Sequence, residues 1–143
     1  MSKIAIIGAG SVTFTRRLLQ DIVTTDVLKE TEIVLMDIDS ERLGVVEAWA
    51  KRLVSDAGSN NVIGATTNRR KALEGADYVI TTIRKGDDLQ IDYGIPMKYG
   101  VDQSVADTIG PGGVFKALRT ALIWVMISTQ YFSSSIMVRM PRT

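Results

Sequence analysis

Lys3-Ile4-Ala5-Ile6-Ile7-Gly8-Ala9-Gly10-Ser11 opens the chain with a short apolar run that breaks on two closely spaced glycines. A parallel strand covered on both faces reads as a continuous apolar run rather than an alternating one, so Lys3 to Ile7 is expected to be such a strand. From Val12-Thr13-Phe14 to about Thr25 the spacing turns helical. Strand, glycine turn and helix in that order make the first unit of a dinucleotide-binding fold. Gly8 permits the tight turn, and Gly10 lets the backbone approach a pyrophosphate. Thr13 stands where a third glycine is usual, so the pattern is GxG rather than GxGxxG. Alone, it is a weak signal.

The next segment strengthens it. Ile33-Val34-Leu35-Met36 is a second apolar strand, and it ends on Asp37 with Asp39 close behind. An acid at the end of the second strand is where this fold binds the adenine-ribose hydroxyls, and a carboxylate there repels the 2′-phosphate of NADP. Asp37 is therefore the candidate ribose ligand, with NAD as the cofactor. Its plainer reading is the end of a strand, while Asp39 or Ser40 caps the following helix. Glu41 to about Ala57 has apolar residues at helical spacing and stops at Gly58-Ser59-Asn60-Asn61. Val62 to Thr66 is expected to be a third strand, Arg69 to Leu73 a short helix ended by Gly75, and Ala76 to Ile83 a fourth strand. Such βαβ alternation predicts a Rossmann-like α/β fold: a mostly parallel sheet with flanking helices and right-handed crossovers.

Composition narrows the function classes. At 143 residues the chain is expected to be one domain, burying roughly 68% of its extended surface. With 17 basic and 16 acidic residues, nothing points to nucleic acid, and Arg69-Arg70-Lys71 reads as a solvated helix start. The apolar run after Lys3 is too short for a secretory signal, and no segment approaches the ~18 apolar residues of a membrane span. A soluble cytoplasmic protein is expected. The chain has no cysteine and no histidine. Disulfides, thiol nucleophiles and imidazole chemistry are therefore excluded for these residues, and only carboxylates remain as metal ligands.

Beyond the fourth strand, Gly94 to Thr120 is too irregular for simple packing. It is expected at the carboxyl edge of the sheet, where open α/β folds bind ligands. Thr108-Ile109-Gly110-Pro111-Gly112-Gly113 is a glycine-rich turn, with a helical pattern from Val114 to about Ser128. Free N–H groups and a helix dipole there suit an anionic or hydroxyl-rich ligand. The bland alternative is a helix N-terminus with a tight turn before it.

Four segments, IAIIGAGSVTF from Ile4, VLMDIDSERL from Val34, ALEGADYVITT from Ala72 and IPMKYGVDQSVADTIGPGGVFKALRT from Ile95, resemble family 4 glycoside hydrolases. Within that family they are most similar to the α-galactosidases and α-glucosidases acting on unphosphorylated sugars. The resemblance implies an unusual glycosidase chemistry, outside the paired-carboxylate scheme. NAD oxidises the sugar at C3, the C2 proton is lost, the C1 substituent is eliminated, water adds and the hydride returns. Manganese assists in the full-length family. The resemblance further implies that Gly8, Gly10 and Ser11 cradle the pyrophosphate and Asp37 holds the ribose. The loop after Ile83 and the Asp107 to Gly113 segment would border nicotinamide and sugar. Gln103, Asp107 and Arg119 become candidates for sugar or cofactor contact, each with a plain reading beside it: turn polarity, an Asx turn, a surface arginine. A homo-oligomer is implied for the full-length enzyme.

The match covers residues 3–120. From Ala121 the chain reads ALIWVMISTQYFSSSIMVRMPRT, without the family's Asn-Pro strand, its metal-binding cysteine and histidine, or its acid and base. The expected layout is an NAD-binding portion over 1–120, incomplete relative to the family, and an unrelated tail over 121–143. A frameshifted or truncated frame is the simplest account, a natural short variant or a spurious gene product the others. Ser133-Ser134-Ser135 and Arg139 to Thr143 are expected to fray, and apolar surface left bare should promote self-association. Two alternatives stay open: an NAD-dependent 2-hydroxy-acid dehydrogenase, and a non-catalytic nucleotide-binding remnant.

Overall fold

A computed structural model describes the backbone of residues 1–83, 89–102 and 110–138, with side chains for 1–83, 91–102 and 110–131. The chain divides into two units, Met1–Ile83 with Gln130–Thr143, and Arg84–Thr129.

In the first unit, β1 (Lys3–Ile7), α1 (Val12–Thr24), β2 (Glu32–Met36), α2 (Ser40–Asp56), β3 (Val62–Thr66), α3 (Arg69–Leu73) and β4 (Tyr78–Thr81) follow in order, with one 3-10 turn at Asp26–Leu28. All pairings are parallel and the strand order is β3-β2-β1-β4. The sheet is thus Rossmann-like, as the alternation requires. Ile4 lies opposite both Ile33 and Tyr78, so β1 is central. Ile4, Ile6, Ile33 and Leu35 pack with Leu19 and Ile22 of α1 and Leu43, Val46 and Ala50 of α2. The alternate set, Ala5, Ile7, Val34 and Met36, is buried as well. Burial of both sets explains why these strands read as unbroken apolar runs.

Local chemistry sets the ends. Asp39 caps α2, its carboxylate accepting the N–H groups of Glu41 and Arg42, and Asn68 caps α3 the same way. β4 is shorter than the expected Ala76 to Ile83. Its partner β1 stops at Ile7 because the chain turns at Gly8, so the ladder has nothing to pair with beyond Thr82 N–H, which donates to Ile7 O at 2.8 Å. Buried Asn61 anchors the approach to β3, its amide donating to Leu28 O and Thr31 O.

Two helices follow. α4 (Leu89–Lys98) was not legible from sequence, because Gly94 and Pro96 both lie inside it. It closes with a Schellman motif: Val101 N–H donates to Pro96 O, Gly100 N–H to Met97 O, and Gly100 takes φ +78°. α5 (Pro111–Val138) starts earlier than expected, with Pro111 at the first helical position where its missing N–H costs nothing. It also runs through Ser133-Ser134-Ser135, which were expected to fray. Past Ser128, Gln130 accepts a hydrogen bond from Arg69 Nε at 2.6 Å and Tyr131 Oη donates to Asp77 O at 3.1 Å, contacts that hold this part of the helix. Arg139 to Thr143 lie outside the described residues. No described helix is long and apolar enough to cross a membrane.

Candidate functional site

The glycine turn, the first turn of α1 and the ends of β2 and β4 meet at the carboxyl edge of the sheet. Gly8 has φ +90°, a conformation that costs an L-residue with a Cβ. A Cβ there would also lie 2.9 Å from Thr82 C, 3.0 Å from Thr82 O and 3.1 Å from Ile83 N. Glycine is demanded by the backbone that leaves β4 on one side and by φ on the other. At Gly10 a Cβ would meet a side chain instead, approaching Asp37 Oδ2 to 2.7 Å, so the carboxylate would have to shift.

The N–H groups of this turn are largely spent within the protein. Gly8 and Ala9 both donate to Met36 O, at 2.8 and 2.9 Å, and Gly10 donates to Asp37 Oδ2 at 2.7 Å. Thr82 Oγ1 donates to Gly8 O at 2.8 Å, and buried Thr15 Oγ1 to Ala9 O at 2.9 Å. The two glycines therefore shape the turn rather than offer donors. Ser11 N–H makes a long bond of 3.2 Å to Gly8 O, and its hydroxyl does not cap α1. The open donors lie one step further on, at the first turn of α1, which carries no acidic residue to neutralise its positive end. On a thirteen-residue helix, such an N-terminus has the chemistry that suits an anion.

Of the residues singled out in the sequence, Gly8, Gly10, Ser11 and Asp37 come together here. Ile83, half-buried, borders Gly8 through its backbone nitrogen. Asp37 is also half-buried, with Oδ1 accepting Asp39 N–H at 3.0 Å. Gln103 and Asp107 lie outside the described residues. Arg119 belongs to the second unit, where it forms an ion pair and hydrogen bond with Asp92, a carboxylate only 4% exposed. The pair lines a cavity of ≈ 460 Å³ walled otherwise by apolar groups such as Ile95, Tyr99 and Phe115. Thr15 and Thr82 were missed. Thr82 sits in the fourth-strand segment, but nothing in its identity marks a hydroxyl aimed at a glycine carbonyl 74 residues away.

Comparison with known proteins bears on the same residues. The family model described as Family 4 glycosyl hydrolase matches residues 3–131, a span that runs past Thr120 into the tail. The alpha-galactosidase of Rhizobium meliloti (strain 1021) is 44% identical over 119 residues, covering 82% of this chain and 24% of that protein. The alpha-glucosidase of Erwinia rhapontici is 40% identical over 121 residues, covering 82% and 27%. The chain thus spans about a quarter of the length of these curated relatives. Among solved structures, the 6-phospho-beta glucosidase from Thermotoga maritima with manganese, NAD+ and glucose-6-phosphate superposes with a TM-score of 0.83 at 30% identity, covering 94% of this chain and 32% of that one. The glycine turn, Asp37 and the Gly110 to Thr120 run all fall inside the matched span, and the chain belongs to glycosyl hydrolase family 4.

Proposed function

We propose that these residues are the NAD-binding portion of an α-glycosidase. The observation that carries this reading is the arrangement at the carboxyl edge: a fixed glycine turn, an uncompensated α1 N-terminus, and a carboxylate at the end of β2. The pyrophosphate would sit on the N–H groups from Ser11 into the first turn of α1, with Gly8 and Gly10 holding the turn out of its way. Asp37 would accept the adenine-ribose hydroxyls and repel a 2′-phosphate. Ile83 would border the nicotinamide. When bound, NAD supplies reversible hydride transfer at sugar C3, which acidifies the C2 proton and permits elimination of the C1 substituent.

The fit to a metal is different. Among the described residues no group of three or more His, Cys, Asp or Glu could hold an ion. In a full-length enzyme the manganese ligands and the acid and base would come from other residues. The reading therefore assigns 1–120 to cofactor binding, 121–143 to a tail outside the catalytic apparatus, and glycoside turnover to the full-length protein. That protein would be a cytoplasmic homo-oligomer, with Gln103 and Asp107 as sugar contacts.

Titration of the chain with NAD, followed by calorimetry, tests the reading. Saturable micromolar binding is expected, with NADP at least about tenfold weaker because like charges brought together cost several kcal/mol. Equal affinity for both would remove Asp37 from the site, and absence of binding would remove the site. No hydrolysis of a nitrophenyl α-glycoside is expected with NAD and manganese present. Turnover would mean that the catalytic groups lie within these residues.

A further inference from the structure

We infer that Asp37 is a positioning residue for the glycine turn, a role that goes beyond the ribose contact proposed for it. Three successive N–H groups, of Gly8, Ala9 and Gly10, point at the end of β2, and the first two share the single carbonyl of Met36. The third has no carbonyl to meet and is taken by Asp37 Oδ2 at 2.7 Å. Gly10 precedes Ser11, the cap of α1, so the carboxylate fixes the last link before the anion-binding turn. Asp37 is itself held: Oδ1 accepts Asp39 N–H, and Asp39 in turn caps α2. The side chain is a strut from the α2 cap to the α1 cap.

The strut and the ribose contact are compatible. An ionised carboxylate has about four acceptor positions, and the protein's own N–H groups use two. Ribose hydroxyls can take the others without releasing Gly10. Hydrogen bonds to charged acceptors are among the stronger ones, so the strut orders the turn before a nucleotide arrives. A substitution at Asp37 meant only to change NAD for NADP would also loosen the phosphate cradle.

The test uses the whole chain and two measurements. In the unaltered protein, a scalar coupling across the hydrogen bond between the Gly10 amide nitrogen and Asp37 Cγ is expected by NMR; its absence overturns the strut. The second probe is 2′,3′-dideoxyadenosine 5′-diphosphate, which has phosphates but no hydroxyl for the carboxylate. Asp37→Ala is expected to weaken its binding roughly threefold to tenfold, the worth of one ordering hydrogen bond. Unchanged binding of this probe, with NAD binding reduced, overturns the strut and leaves the NAD reading standing. If Asp37→Ala loses protection at Gly8 and Ala9 as well, it has not folded, and the coupling in the unaltered chain decides. Coupling present in a chain that binds no nucleotide keeps the strut and ends the NAD reading.

Discussion

Replacing Gly8 with alanine should be among the most damaging small changes in this protein. The residue sits at φ +90°, where a Cβ meets the local backbone at a cost of roughly 1–2 kcal/mol. The new methyl would then lie 2.9–3.1 Å from the carbonyl of Thr82 and the nitrogen of Ile83. These are main-chain atoms of the segment leaving β4, tied to β1 by Thr82 N–H and Oγ1, so no rotamer change relieves the overlap. Overpacking of this kind adds roughly 1–3 kcal/mol. Together the loss should be about 2–5 kcal/mol, a large part of a small domain's stability. Urea unfolding followed by circular dichroism measures it. Gly44→Ala is the control: Gly44 lies in α2, exposed, with nothing within 4 Å of a new Cβ. There the helix should gain about 0.5–1 kcal/mol. If Gly8→Ala costs less than about 1 kcal/mol, the close approach of β4 to the turn is wrong, and with it the account of why glycine stands there.

Other consequences follow from the same contacts. Thr15→Val removes the buried bond to Ala9 O, leaves that carbonyl without its partner, and should cost about 1–3 kcal/mol in the same urea assay. Arg119→Ala removes the guanidinium paired with the buried carboxylate of Asp92 and should destabilise the second unit by about 1–3 kcal/mol, read from Trp124 fluorescence in a Trp49→Phe background; Arg119→Lys should recover part of it. Lys29 holds the Asp26 carboxyl below its ordinary 3.8, first by a hydrogen bond at 2.6 Å and then by its charge. A depressed carboxylate favours the fold above its unfolded pKa and loses that as pH falls through the folded value, so Lys29→Ala should move the Asp26 carbon resonance to titrate at higher pH. Phe115, Leu118, Leu122 and Val125 are exposed on α5 at alternating three- and four-residue spacing, so sedimentation should show concentration-dependent self-association that Leu118→Glu with Leu122→Glu reduces.

The first unit was readable because each of its elements advertises itself locally. Val62–Thr66 follows the break at Gly58 to Asn61 and Arg69–Leu73 is closed by Gly75, and both have the expected bounds. The closeness of Asp37 to the glycine turn was legible because strand, glycines and acid occur at the spacing one fold needs. The hidden part is what depends on distant contacts. α4 contains Gly94 and Pro96, residues that locally argue against a helix, and it is held by the Asp92–Arg119 pair and the cap at Gly100. α5 continues past Ser128 with Gln130 bonded to Arg69 and Tyr131 to Asp77, pairings across more than 50 residues that no local pattern announces. Gly10 gives the sharpest difference. Its spacing points to a pyrophosphate, whereas the group nearest a Cβ there is the carboxylate of Asp37.

The placement of β1 between β2 and β4 sets a schedule for biosynthesis. Ile4 needs Tyr78 as well as Ile33, so β1 waits during synthesis for a partner 74 residues later. At roughly 5–20 residues per second that delay is roughly 4–15 s. Throughout it the most apolar strand of the sheet has one hydrogen-bonding edge open to neighbouring nascent chains. Yield should therefore respond to translation rate and holding chaperones over the codons between β1 and β4, even for variants whose finished fold is equally stable.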